Sequence, residues 1–125
     1  MLCGMADSTP VPAAVSTAHG RVEVEPQDDG VVVRLAGDVD LLLAPHVREV
    51  VRAVEGARVQ EIDVTDVTFV DSAGMALLIQ VWVAGGRRRV PLRGAGDQVL
   101  ELVAMMSLGE LFDVWDGPRG GHATA

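Results

Sequence analysis

One cysteine, Cys3, stands in 125 residues. A lone thiol excludes an internal disulfide and is compatible with a reducing cytoplasm. Lysine is absent, so all ten strong cations are arginines, a pattern read as genome-composition bias rather than as a site. Aromatic residues are limited to Phe69, Trp82, Phe112 and Trp115, so the core has to be built from Val, Leu, Ile, Met and Ala. No apolar run reaches the length of a membrane span. The N-terminus lacks the basic segment followed by an apolar stretch that marks a secretory signal. These absences lead to the expectation of a soluble, cytoplasmic protein with no membrane insertion. Cations are also outnumbered, 10 against 18 acids, for a net charge of −8. Such a chain repels a phosphate backbone, which argues against nucleic acid as the main partner.

Signatures of catalysis are missing as well. There is no P-loop, His46 has no second ligand at metal spacing, and His19 and His122 fall in presumed tails. We therefore expect no cofactor, no metal and no enzymatic activity.

What the chain does have is a strand running into a helix. Glu61-Ile62-Asp63-Val64-Thr65 alternates with the period of a strand. Met75, Leu78, Ile79 and Trp82 repeat with the period of a helix. Between them lies Asp71-Ser72-Ala73-Gly74, which places Ser72 at or near the helix N-cap, where its oxygen can accept from an orphan backbone N–H. Capping is the plainer role for this serine. A phosphoacceptor is the sharper one, because free N–H groups and the positive dipole end tolerate an anion there. A nucleophile elbow is disfavoured: it needs glycine two residues before the serine, and Val70 stands there.

The rest of the chain reads in order as a single domain. Residues 1–20 are rich in Ala, Ser, Thr and Pro and are expected to form a flexible N-terminal tail, with translation starting at Met1 or Met5. Arg21–Glu25 alternates and meets Pro26, which predicts a short edge strand, and Asp29-Gly30 marks a hairpin turn. Val31–Ala36 is a second strand, its β-branched run suggesting burial on both faces. An acidic turn, Gly37-Asp38-Val39-Asp40, follows.

Ala44-Pro45 opens the first helix, which has Val47, Val50, Val51 and Val54 inward and closes at Gly56. The central helix ends at Gly85-Gly86, where Arg87-Arg88-Arg89 reads as dipole complementation. Val90–Ala95 is a further strand, edge or irregular because of Pro91. Asp97 is the expected N-cap of a third helix with Val99, Leu102, Val103 and Met106 buried and Met105 and Met106 as core filler. Phe112–Trp115 adds a last short strand, and residues 116–125 read as a flexible C-terminal tail. The class is α/β, a mixed four- to five-stranded sheet with helices packed against it and right-handed parallel crossovers.

Asp63-Val64-Thr65, Asp71-Ser72-Ala73-Gly74 and the apolar helix after them resemble the central motif of STAS domains, and in particular of the small bacterial anti-sigma-factor antagonists. Gly37-Asp38-Val39-Asp40 resembles that family's Gly-Glu-Leu-Asp turn, with Asp38 in place of the commoner Glu, and Ser107–Phe112 resembles its closing segment. The resemblance covers residues 21–115. It implies the STAS fold, with the acidic turn close to the serine, so that Asp38, Asp40, Asp71 and Gly74 surround a phosphorylatable Ser72.

It also implies the partners: an anti-sigma factor that is a serine kinase, bound by the unphosphorylated form to free a sigma factor, and a phosphoserine phosphatase. A monomer or weak homodimer is expected. By helical period Ala73, Ala76, Leu77 and Gln80 form an uncharged face of the central helix, the expected docking surface, with burial by a neighbour as the other reading for Leu77. The alternative reading is a STAS accessory subunit that docks a membrane transporter or a lipid-trafficking complex without a phosphoswitch.

Overall fold

The computed structural model describes residues 13–115, the expected domain and part of the segment before it. Cys3, Met5, His122 and the expected C-terminal tail lie outside the described residues. Six strands form one sheet in sequence order: β1 (Ala13–Ser16), β2 (Gly20–Gln27), β3 (Gly30–Val39), β4 (Val59–Val70), β5 (Val90–Arg93) and β6 (Phe112–Trp115). β1, β2 and β3 pair antiparallel, while β3 through β6 pair parallel. Each parallel step is bridged by a helix: α1 (Val47–Val54), α2 (Ser72–Ala84) and α3 (Asp97–Met105).

The α/β reading holds, with more strands than expected. The additional one is β1, which lies within residues 1–20, the segment read as tail. Its short run of Ala, Val and Ser carries too weak an alternation to read as a strand, yet Ala13–Ser16 pairs with Arg21–Val24 and buries Val15. β2 is consequently an interior strand rather than an edge. Pro26 is tolerated because it lies beyond the stretch that β1 covers. β5 is interior too, and Pro91 precedes the point where pairing with β4 begins, at Ile62–Leu92.

The sheet has two unlike faces. Val22, Val24, Val33, Leu35, Ile62, Val64 and Leu92 point into one core cluster, which also takes Val50 and Val54 of α1, Met75, Leu77, Leu78 and Val81 of α2, and Val99 and Val103 of α3. All of these are removed from water, and at about 25 cal/mol per Å² of apolar area this burial is the main force holding the domain together. Val32 is buried but lies outside that cluster, on the opposite face. There the register sets Glu23, Arg34, Asp63 and Arg93 side by side across four strands. Arg34 pairs with Glu25 and lies 3.9 Å from Asp63, and Arg93 Nη2 donates to Glu61 at 2.8 Å. The hydrogen bond with Glu25, with the nearby charges of Glu25, Asp63 and Glu61, raises the Arg34 pKa against the opposing effect of burial.

Two helix details differ from expectation. The first helix begins with a 3₁₀ turn at Ala44–His46, and Pro45 sits in that turn. The N-cap of α3 is Gly96 rather than Asp97, which occupies the first helical turn. In α3 Val99 and Val103 are buried, Met106 is half-buried, and Met105 is 74% exposed, so Met105 is not core filler.

Candidate functional site

The parallel strands β3 and β4 end together. Asp38 pairs in register with Phe69, and Val39 with Val70. Two backbone features bring these ends close. Gly37 takes a left-handed φ of 73°, and a side chain there would meet the His19 carbonyl oxygen at 2.2 Å. The register slips between Gly37 and Asp38, where β4 carries the extra residue, Thr68, and the acidic segment is a strand end rather than a free turn. Second, a Cβ on Gly74 would lie 2.0 Å from the Val39 carbonyl oxygen, so only glycine lets the first turn of α2 approach the end of β3. The Asp71 N–H donates to that same carbonyl at 3.4 Å. The acidic segment at 37–40 and the serine turn at 71–74 thus share one pole of the sheet.

At that pole the side chains divide the work. Asp71, extended at φ −119°, is the N-cap of α2, and its Oδ1 accepts from the Gly74 N–H at 2.9 Å. Ser72 is then the first helical residue, not the cap. Its side chain is exposed, and no hydrogen bond holds its hydroxyl among the described residues. Because Asp71 is committed to backbone, it does not orient the Ser72 hydroxyl. Asp38 Oδ1 accepts from the Thr68 hydroxyl at 3.2 Å, and Asp40 Oδ1 accepts from the Leu42 N–H at 3.0 Å. No ion pair engages Asp38, Asp40 or Asp71 among the described residues. α3 contributes too: Gln98 Oε1 accepts from the Val70 N–H at 3.0 Å and steadies the end of β4. Nothing in the sequence pattern marked Gln98 for that contact.

The expected docking face of α2 is partly corrected. Leu77 is 3% exposed and packs in the core, because α2 is covered on two sides, by the sheet and by α1. Ala73 is half-buried, while Ala76 and Gln80 are exposed. The free stripe of α2 runs Ser72, Ala76, Gln80, Val83, at helical spacing and without a charge. Sequence reasoning also missed exposed apolar residues at this pole. Leu41 and Leu42, in the turn after β3, are 67% and 56% exposed, and Phe69 is 42% exposed. Among the described residues no three His, Cys, Asp or Glu side chains converge as metal ligands, and no helix is long and apolar enough to cross a membrane.

Known proteins share this architecture. A crystal structure of an anti-sigma factor antagonist from Mycobacterium paratuberculosis superposes with a TM-score of 0.67 at 21% identity, covering 82% of this chain and 92% of that one. The anti-sigma factor antagonist SpoIIAA in its unphosphorylated form matches with a TM-score of 0.55 at 18% identity, over 78% of this chain and 90% of that one. At such identities the likeness concerns the fold. Two curated Listeria proteins, from L. monocytogenes and L. innocua, each named anti-sigma-B factor antagonist, are 26% identical over 98 residues, or 74% of this chain and 86% of theirs. The family described as "Mlab, STAS domain" matches residues 22–113, most of the chain. This chain belongs to the STAS domain family.

Proposed function

We propose that this protein is an anti-sigma-factor antagonist whose binding is switched at Ser72. The unphosphorylated form binds an anti-sigma factor with serine kinase activity and so releases a sigma factor. Phosphate on Ser72 blocks the complex, and a phosphoserine phosphatase restores it. The observation that carries this reading is the position of Ser72: an exposed, unengaged hydroxyl at the head of an uncharged helical stripe, with the capping role taken by Asp71. The names of the Listeria relatives support the same role.

The mechanism is electrostatic. A phosphoserine carries a charge of about −1.5 to −2 at neutral pH. It would arrive beside Asp71 and on the pole that holds Asp38 and Asp40, three carboxylates with neutral hydrogen-bond donors only. Burying that charge against a partner without a matched cation costs several kcal/mol, and about 3 kcal/mol already weakens binding more than a hundredfold. In the free protein the N-terminus of α2 offsets part of the repulsion, so the phosphorylated chain stays folded. The switch is local repulsion rather than unfolding. ATP, magnesium and the catalytic base belong to the kinase partner, and this chain supplies the acceptor hydroxyl.

The test compares Ser72→Asp and Ser72→Ala by calorimetric titration against the anti-sigma factor kinases of the source genome. Ser72→Asp is expected to melt like the wild type and to lose binding by about a hundredfold or more. Ser72→Ala is expected to bind and to resist phosphorylation. Tight binding by Ser72→Asp would refute the repulsion mechanism.

A further inference from the structure

We infer that the Leu41–Leu42 turn is the apolar anchor of the docking surface, and that its occupant is a partner protein with an apolar socket rimmed by arginine or lysine. This rests on the proposed function and names the chemistry of the surface the partner must present.

Leu41, Leu42 and Leu43 are chemically alike, yet only Leu43 is buried, at 1% exposure. Leu43 plugs the turn into the core, and the backbone around it is fixed. The Leu43 N–H donates to the Asp40 carbonyl at 2.9 Å, and the His46 N–H donates to the Leu43 carbonyl at 2.9 Å. Asp40 Oδ1 holds the Leu42 N–H as well. Two leucine side chains are therefore presented to water on a rigid support, which lowers the ordering cost of binding them. The turn follows Val39 and Asp40, and the Val39 carbonyl accepts from the Asp71 N–H, so the leucines belong to the same pole as Ser72. Phe69, beside Asp38 in register, is a further exposed apolar residue at the end of β4. A monomer gains nothing by leaving such residues in water, whereas an interface core uses them.

Charge fixes the rim. Asp38, Asp40 and Asp71 flank these residues, and none has a cation of its own among the described residues. A partner with acidic or neutral edges would leave them uncompensated, and a partner with basic edges complements them. A phosphate on Ser72 would exceed the charge that those cations match, so the fit holds for the unphosphorylated form.

The experiment titrates the L41S/L42S double variant against a panel of purified anti-sigma factor serine kinases from the source genome, with Met105→Ser as the control for an exposed apolar residue elsewhere. Leu41→Gln alone serves should the double variant fail to fold. The wild type and Met105→Ser are expected to bind alike. The leucine variants are expected to melt like the wild type and bind at least about tenfold more weakly, a loss of about 1.4 kcal/mol. Wild-type affinity is expected to fall as salt rises from about 0.1 to about 1 M, where the screening length shortens from about 10 to about 3 Å.

Unchanged binding by the leucine variants overturns the anchor while leaving the proposed function standing, provided Ser72→Asp still abolishes binding. No kinase bound by the wild type overturns both. Affinity independent of salt overturns the basic rim. If sedimentation shows a wild-type dimer that the leucine variants dissociate, the socket belongs to a second copy of this chain, and the anchor proposal fails.

Discussion

The open face of the sheet and the pole at the ends of β3 and β4 both carry acids, but they treat them differently. On the sheet face Glu25 pairs with Arg34 and Glu61 with Arg93, and Asp63, which accepts from Thr65, also lies 3.9 Å from Arg34. Alternating signs in register make that surface a ladder of neighbouring opposite charges, open to water at Glu25 and Arg34 and largely covered at Asp63, Glu61 and Arg93. At the pole, Asp38, Asp40 and Asp71 are held by a hydroxyl and two backbone N–H groups, and their charge is left over. Beside them the chain places exposed leucines and an uncharged helix stripe. One region sets cations beside its acids; the other holds its acids with neutral donors and pairs none of them with a cation among the described residues. A charged surface is therefore no guide to a binding site unless its pairing is examined.

The comparison breaks most visibly inside α2. Leu77→Glu buries a carboxylate in the core, and we expect a loss of about 3 to 5 kcal/mol and a collapse of the melting temperature. If the variant melted normally, the division of α2 into buried and free sides would be wrong. Gly74→Ala is expected next, at about 1 to 3 kcal/mol by thermal melting, because its methyl group would press on the Val39 carbonyl. A neutral result there would show that the two turns are not held together by backbone contact.

Ala76→Glu probes the free stripe of α2. It should leave the melting temperature within a degree or so of the wild type, in keeping with an effect of about 0.5 kcal/mol or less at a surface position. Binding to the anti-sigma factor should weaken by about tenfold or more, read by calorimetry. Smallest of all is Arg34→Ala on the sheet face. Exposed ion pairs contribute about 0 to 1 kcal/mol, so a slight drop in stability and unchanged partner binding are expected. A large binding defect from Arg34→Ala would move the interface to the open face.

Much of this was legible in the sequence, for physical reasons that differ by region. The β3 and β4 strands and the α2 helix have strong periodicity, and Asp71-Ser72-Ala73-Gly74 marks their junction. That the segments at 37–40 and 71–74 come together followed from the family resemblance, and the register of β3 with β4 bears it out. Other features were not legible. β1 is four residues of weak pattern whose strand state comes from pairing with β2. Leu77 lies on the helix side turned from the sheet, and whether a neighbour covers it is a tertiary fact, decided by the packing of α1 on α2. Leu41-Leu42-Leu43 reads as one apolar run, and only the turn geometry separates a buried plug from two exposed side chains. The cap was displaced by one residue because aspartate and serine are nearly equal as N-caps, and the extended backbone falls on Asp71.

The most direct measurement is phosphate mapping. The protein is incubated with ATP and the anti-sigma factor kinase it binds, and the modified peptide is sequenced by mass spectrometry. The account predicts a single phosphate on Ser72, and none on Ser72→Ala. Phosphate on Thr68 instead, or efficient labelling of Ser72→Ala, would contradict it.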